Sequence, residues 1–278
     1  MYALVRPGRE PWRLRGIEPK PTLVEADLSD HAGIRELLKD LRPEIVFHCA
    51  WYAVPGEYLH SPENLTSLAD SLNFARAAGE SGCRHFIGVG TCFEYDTSVG
   101  TLSETSPTRP QTLYAAAKLA LYTVLEQMRA DGMGVTWARL FYLYGPMEDA
   151  RRLVPSVVRA LLAGEPAGIS PGQQVRDFLH VEDVAAALAT LGQQNLDGVF
   201  NIGSGEPVTV ARVATTLGRL CGRESLVRIG ARPYAPGDPM YVCADNARLS
   251  STGWRPAYGL ETGLSDTIRW WRDNLAAG

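Results

Sequence analysis

The chain has 278 residues, a formal net charge of −4, 45% hydrophobic residues and 21% charged residues, the profile of a globular protein with one large core or two modest ones. Its acidic balance and lack of a basic run give no electrostatic reason to bind nucleic acid, and no apolar stretch nears the roughly 18 residues of a membrane span. The 5 cysteines without a C-x-x-C pair and the 5 histidines without ligand spacing argue against a disulfide framework or a metal site, and for reduced thiols in a cytoplasm.

In chain order, MYALV opens as a short strand and is followed by Arg6, Pro7 and Gly8. Thr22–Asp27 is strand-like, and His31–Leu41 carries apolar residues at helical spacing. Ile45–Ala50 is a continuous apolar run, as in a strand covered on both faces. A helix follows over about Pro62–Gly79, a strand over His85–Gly90, a helix over about Thr112–Ala130 and a strand over Val135–Leu140. This alternation predicts an α/β fold, a doubly wound parallel sheet, with ligands bound beyond the carboxyl ends of its strands. After Gly145-Pro146 the texture changes. Helix Leu153–Ala163, a strand entering a helix at Val175–Leu188, strand Val199–Gly203 and helices Thr209–Cys221 and Leu260–Leu275 read as a smaller mixed domain. The expected division is 1–150 and 151–278, with some exchange of chain between the two. His48 and His180 lie in apolar strand-like runs and read as core histidines.

The strongest chemical signal is Tyr114-Ala-Ala-Ala-Lys118, whose spacing of four puts both side chains on one helix face. A phenol with a pKa near 10 is a poor acid–base group at neutral pH, and a nearby ammonium brings it toward the working range. Thr91 stands at the end of the strand His85–Gly90, where its hydroxyl can serve the same substrate oxygen.

This set resembles the extended short-chain dehydrogenase/reductase family in its nucleotide-sugar branch, a Rossmann-like fold. The resemblance includes IVFHCA, RLFYLYGP (Arg139–Pro146), VRDFLHVEDVA (Val175–Ala185), VFNIGSGEPVTV (Val199–Val210) and GWRP (Gly253–Pro256). It implies that Tyr114 is the acid–base, that Lys118 lowers its pKa and holds the nicotinamide ribose, and that Thr91 orients the substrate. It also implies that Asp27 receives the adenine with Leu28 beside it, and that Ala50 and Phe141 line the cofactor. A helix N-cap is the structural alternative for Asp27. Arg176 would clamp the substrate diphosphate, and Glu94, Tyr142, Val154, Pro155 and Arg232 would complete the substrate site. Tyr142 stands where the family often carries the asparagine of R-x-x-N, and Ala235 stands where a second arginine is expected. Family members often pair through two helices each, so a homodimer with a four-helix interface is implied.

Dehydratases of the family carry an acid beside the strand-end threonine; here those positions are Cys92 and Phe93. The resemblance therefore implies reduction of an NDP-4-keto-6-deoxyhexose at C4, with 4-epimerisation as the alternative. Arg6 and Arg9 near the end of the first strand suit the 2′-phosphate of NADP(H), with NAD(H) as the alternative and no metal.

The family's opening strand and G-x-x-G-x-x-G loop, which bring backbone amides to the pyrophosphate, have no counterpart in this sequence. MYALVRPGRE corresponds to the family's second strand, so about thirty residues of a βαβ unit are expected ahead of it. The expectation is a misplaced start codon; the alternative is a short form acting as a pseudoenzyme that binds a sugar nucleotide or another subunit.

Overall fold

In the computed structural model, which describes residues 1–129 and 132–275, the apolar runs become strands with their carboxyl ends on one side. Strand β1 (Tyr2–Val5) pairs in parallel with β2 (Thr22–Glu25), and Val5 lies opposite Glu25. Helix α1 (His31–Leu41) begins at Asp30, whose carboxylate accepts from Gly33 N at 3.0 Å. Then come β3 (Ile45–His48), α2 (Glu63–Glu80), β4 (His85–Thr91), the two-residue β5 (Thr101–Leu102), α3 (Leu113–Met128), β6 (Gly134–Leu140) and β7 (Tyr142–Tyr144). The expected end of α3 at Ala130 lies outside the described residues.

The second half holds α4 (Leu153–Leu162), β8 (Ala167–Gly168), β9 (Val175–His180), α5 (Val181–Gln193), β10 (Gly198–Ile202), β11 (Pro207–Thr209), α6 (Val210–Leu220), β12 (Val227–Arg228), β13 (Cys243–Ala244), α7 (Ala247–Ser251) and α8 (Leu260–Leu275). The main sheet has the order β10-β6-β4-β3, all parallel. Strand β10, expected in the second domain, thus returns to extend the first domain's sheet. Helices α1, α2 and α3 cover one face through Ile34, Leu38, Phe74, Ala78, Leu121 and Leu125, which meet Val46, Phe86, Val135 and Trp137. Helix α5 covers the other face through Val184, Ala187 and Leu191, against Ala138 and Phe200. A fully buried Phe86 contributes roughly 1.5–3 kcal/mol by leaving water. The mixed sheet β11-β9-β7 and helices α4, α6 and α8 enclose a separate core of Val154, Val158, Leu161, Val213, Leu217 and Leu264.

The parallel strands do not join into one continuous sheet among the described residues. Among the described residues, β1 and β2 pair only with each other, while β3 pairs only with β4. The β1–β2 unit still rests on the main core through Leu4, Ala26 and Leu28. Parts of the interrupted layer face solvent, with Phe47 47% and Tyr2 55% exposed.

Gly88 and Gly90 form a G-x-G pair in β4, and the structure gives them a packing role. Gly88 sits opposite Trp137 in the β4–β6 ladder, and a Cβ at either glycine would overlap the Trp137 indole. Gly90→Ala should therefore cost about 1–3 kcal/mol, as overpacked cores do, read as a lowered midpoint of thermal unfolding. An unchanged midpoint would show that the indole moves freely.

Candidate active site

Strand β4 delivers Thr91 to its carboxyl end, and the chain turns at once into a short 3-10 helix, Cys92–Glu94. Thr91 caps that turn: its hydroxyl accepts from Phe93 N at 3.3 Å, while its own N–H donates to Glu94 Oε1 at 2.8 Å. Tyr114 comes from the first turn of α3, which Thr112 caps by accepting from Ala115 N at 3.2 Å. The Thr91 side chain stands near the Tyr114 phenol and eases its ionisation. Burial works the other way more strongly and holds the phenol well above its ordinary pKa.

Lys118 lies one turn further along α3, 2% exposed. Its Nζ donates to Val89 O at 2.7 Å and stands 3.9 Å from the centre of the Trp51 ring. Burial brings its pKa down to about 7, against the opposing pull of Glu94 and Cys49. The ammonium is not prominent among the influences on the Tyr114 phenol, which are burial, Tyr58, Thr91, Glu94 and Cys92. In this arrangement Nζ is turned to the β4 carbonyl beneath the indole.

The aromatic cover over this pair was not anticipated from the sequence. Segment 51–61 leaves β3 and folds over the α3 terminus, with Leu59 O accepting from Tyr114 N at 3.0 Å. Tyr58 packs edge-on to Tyr114 at 4.8 Å, and Trp51 does so at 6.4 Å. Asn64 holds the segment: its Oδ1 accepts from Trp51 Nε1 at 2.8 Å, and its Nδ2 donates to Tyr58 O at 2.6 Å. Ser67, left without a role by its sequence context, accepts from Tyr52 N at 3.3 Å. The available signal was three aromatics in one Gly/Pro-containing stretch after a strand end.

Glu94 corrects one expectation. It is not a substrate ligand, because it is wholly buried. Its Oε2 accepts from Arg139 Nε at 2.7 Å, and both oxygens lie 3.0 Å from Trp137 Nε1. Val154 and Pro155 are likewise buried on α4, Val154 within the second core, rather than lining a cleft. Phe141 is 6% exposed and packs with Cys92, Tyr95 and Leu102, with its N–H donated to Ile202 O at 3.1 Å. Its ring therefore packs into the small core beneath the Cys92–Glu94 turn.

Arg176 is 3% exposed on β9. Its Nη2 donates to Asp238 Oδ1 at 2.6 Å, and its guanidinium lies 5.1 Å from the Tyr142 ring centre. Arg232 is exposed nearby in sequence and holds β8 by donating its backbone N–H to Ile169 O at 3.1 Å. Other motif residues staple the fold. Asp177 accepts from Ser204 N at 2.6 Å and Ala244 N at 3.1 Å, and Asp183 accepts from Ala257 N at 2.7 Å. His48 is a core histidine as expected, 2.8 Å from Ser71 Oγ and stacked on Phe74, with burial taking its pKa down to about 3. His180 is fully buried against Tyr258 at 4.0 Å.

At the carboxyl ends of β1 and β2, Arg6 and Asp27 are both exposed, and Arg6 helps to hold the Asp27 carboxyl below its usual range, after the stronger effect of Ser29. Asp30 and not Asp27 caps α1, so the Asp27 carboxylate is not engaged as the helix cap. Leu28 is half-buried beside it, and Ala50 is exposed just past β3.

Residues 4–203 match the family model described as the NAD dependent epimerase/dehydratase family. A dTDP-glucose 4,6-dehydratase of Neisseria gonorrhoeae is 26% identical over 295 residues, covering 92% of this chain and 82% of that protein. The structure of a UDP-glucose 4-epimerase from Thermotoga maritima with UDP-glucose has a TM-score of 0.84 at 26% identity, covering 93% of this chain and 87% of that one. A UDP-glucose 4-epimerase from Thermus thermophilus in complex with NAD gives 0.81 at 26% identity, covering 92% and 86%. With residues 4–203 matched, well over half of its length, the chain belongs to the NAD dependent epimerase/dehydratase family.

Proposed function

We propose that this chain reduces the C4 ketone of an NDP-4-keto-6-deoxyhexose. The observation that carries this reading is the pairing of Thr91 and Tyr114 with no free acid beside them. Cys92 is a buried thiol with its pKa pushed up to about 12, Phe93 is apolar, and Glu94 is locked by Arg139. Elimination of water needs an acid–base group at that point, whereas ketone–alcohol interconversion needs only a hydroxyl to orient the oxygen and a phenol to protonate it.

Arg6 and Asp27 fit the adenosine end of a dinucleotide, with Arg6 suited to a 2′-phosphate, while Ala50, Tyr114 and Lys118 fit the path toward the nicotinamide. A bound nicotinamide supplies the hydride. Thr91 orients the ketone oxygen, Tyr114 delivers its phenolic proton to it, and Lys118 stabilises the phenolate left behind. Gly88 and Gly90 do not offer a pyrophosphate loop, since the space beside them is filled by Trp137. The exposed Leu65 on α2 and Val124 on α3 support pairing with a second copy through these helices.

Incubation with TDP-, GDP-, UDP- and CDP-linked 4-keto-6-deoxyhexoses, followed by NADPH oxidation, tests the reading; no oxidation with any of them overturns it. A second reading, 4-epimerisation, is favoured by the two similar 4-epimerase structures, and interconversion of C4 epimers without net oxidation would establish it. Arg6→Ala is expected to weaken NADPH about tenfold and NADH by less than about twofold, measured by calorimetry, because only the 2′-phosphate uses the guanidinium. Equal loss for both cofactors would remove the NADP preference.

A further inference from the structure

Lys118 and Thr91 are both almost wholly buried, at 2% and 6% exposure. Groups closed off to that extent cannot touch a ligand until something moves. Beneath the Lys118 Nζ, Val89 O accepts its hydrogen bond at 2.7 Å; on the other side the Trp51 ring centre lies 3.9 Å away. The Tyr58 ring covers Tyr114 at 4.8 Å. Both covering rings belong to one connection, residues 49–62, which among the described residues forms neither helix nor strand. Connections of that length in a compact domain generally have a functional reason.

One side chain fastens both rings. Asn64 is fully buried in the first turn of α2. Its Oδ1 accepts from Trp51 Nε1 at 2.8 Å, and its Nδ2 donates to Tyr58 O at 2.6 Å and Ser61 O at 2.8 Å. All three bonds go to the cover, and only a side-chain amide supplies acceptor and donors together. The remaining ties are scattered: Tyr114 N to Leu59 O at 3.0 Å, Tyr52 N to Ser67 Oγ at 3.3 Å, and the Arg152 guanidinium 5.1 Å from the Tyr58 ring centre. Between the two rings the chain is exposed at Ala53, Gly56 and Glu57, and Gly56 turns it at a φ of 88°. An exposed strap with few backbone hydrogen bonds belongs to the part of a fold that opens most readily.

We propose that residues 51–61 are a lid over Lys118 and Tyr114, that Asn64 is its latch, and that the nicotinamide end of a dinucleotide displaces Trp51 from Lys118. The displacement rests on the proposed dinucleotide reading; the lid and its latch do not. With the lid closed, the ammonium is spent on a carbonyl and an indole. With Trp51 withdrawn, Nζ is free to face the phenol and a ligand together. Asn64 thus acts as a positioning residue, setting how much of the protein stands open before any ligand arrives.

Brief acetylation of the full chain with acetic anhydride, read by peptide mass spectrometry, tests the lid. The other lysines, Lys20 and Lys39, are exposed and serve as references in the same chain. At about pH 8 Lys118, whose pKa burial brings to about 7, is mostly the free amine, so a failure to react reports cover and not charge. In the native protein Lys118 should react at least about tenfold more slowly than Lys39, and Asn64→Ala should raise its rate at least about tenfold. Rates are taken from molecules whose Cys83, buried in the main core, stays unalkylated by iodoacetamide, which sets global unfolding aside. Should Asn64→Ala fail to keep Cys83 closed, Trp51→Ala, which removes the cover itself, takes its place. Native labelling of Lys118 as fast as that of Lys39 overturns the lid, and so does a Lys118 that stays closed in both variants. Opening by Trp51→Ala but not by a folded Asn64→Ala overturns the latch. Calorimetry with NADPH tests the displacement: Asn64→Ala should bind about fivefold more tightly, because the cofactor no longer has to break the latch. Equal affinity, with Lys118 opened in the variant, overturns the displacement. No NADPH binding by either protein, with Lys118 opened as expected, overturns the dinucleotide reading and leaves the lid established by its labelling.

Discussion

Tyr114→Phe is expected to lower kcat for the proposed reduction of a keto sugar by roughly 10²- to 10⁴-fold while leaving KM within about twofold. The phenylalanine ring keeps its edge-on packing to Tyr58 and Trp51, so only the proton donor is lost. The pH profile of the native protein carries the second half of the test. Reduction turns the phenol into a phenolate, which needs Lys118 charged, and Lys118 is charged only below about pH 7. The rate should fall as pH rises through 7. Stability should move the other way. The lysine's folded pKa is depressed, so between about 7 and its ordinary 10.5 the unfolded chain holds a proton that the folded chain has released. Folding therefore gains as pH rises through that window. A falling rate with a rising melting temperature identifies Lys118 as the cause. A rate that is flat across pH 6 to 9, or a Tyr114→Phe variant retaining more than about a tenth of native kcat, would remove the phenol from the reaction.

The parts of the molecule readable from sequence are those set by local rules. Helices α1 and α8 occupy their expected ranges because apolar spacing, and for α1 an acidic cap, are contained within the segment. Thr91, Tyr114 and Lys118 were legible because a strand end and a helix face fix them without reference to the rest of the chain. What was missed depends on long-range pairing. Trp137 and Arg139 reach Glu94 across 43 and 45 residues only through the β4–β6 register, so an acid that looked available near the substrate is sealed off. The burial of Val154 follows from where α4 meets α6 and α8, which no window around Val154 contains. The role of Trp51 depends on Asn64, thirteen residues on, drawing the indole over the lysine. Strand β10 rejoins the main sheet because Val199 and Phe200 find an open edge on β6, an event invisible in a segment that reads equally well as part of either domain.

Glu94→Gln is expected to be the most destabilising of these substitutions. The Arg139 side chain is 3% exposed and that of Glu94 0%; the guanidinium also stacks 4.2 Å from the Tyr95 ring centre. A glutamine can keep hydrogen bonds to Thr91 N and Trp137 but leaves a buried guanidinium with no anion, a loss of about 3–5 kcal/mol. For a chain of this size that is roughly a 10 °C fall in melting temperature. Arg139→Met should cost less and depend on pH. The orphaned Glu94, whose pKa burial already raises, can take up a proton and become neutral, so that variant gains stability relative to the native protein as pH falls. Joining the two changes should lose less than the sum of the single losses, since neither buried charge then remains. The same measurements decide the reaction class. A soluble Glu94→Gln that melts with the native protein but has lost turnover would mean that the carboxylate works on substrate. Dehydration, which the proposed reading sets aside because of that burial, would then return as the reading of the site.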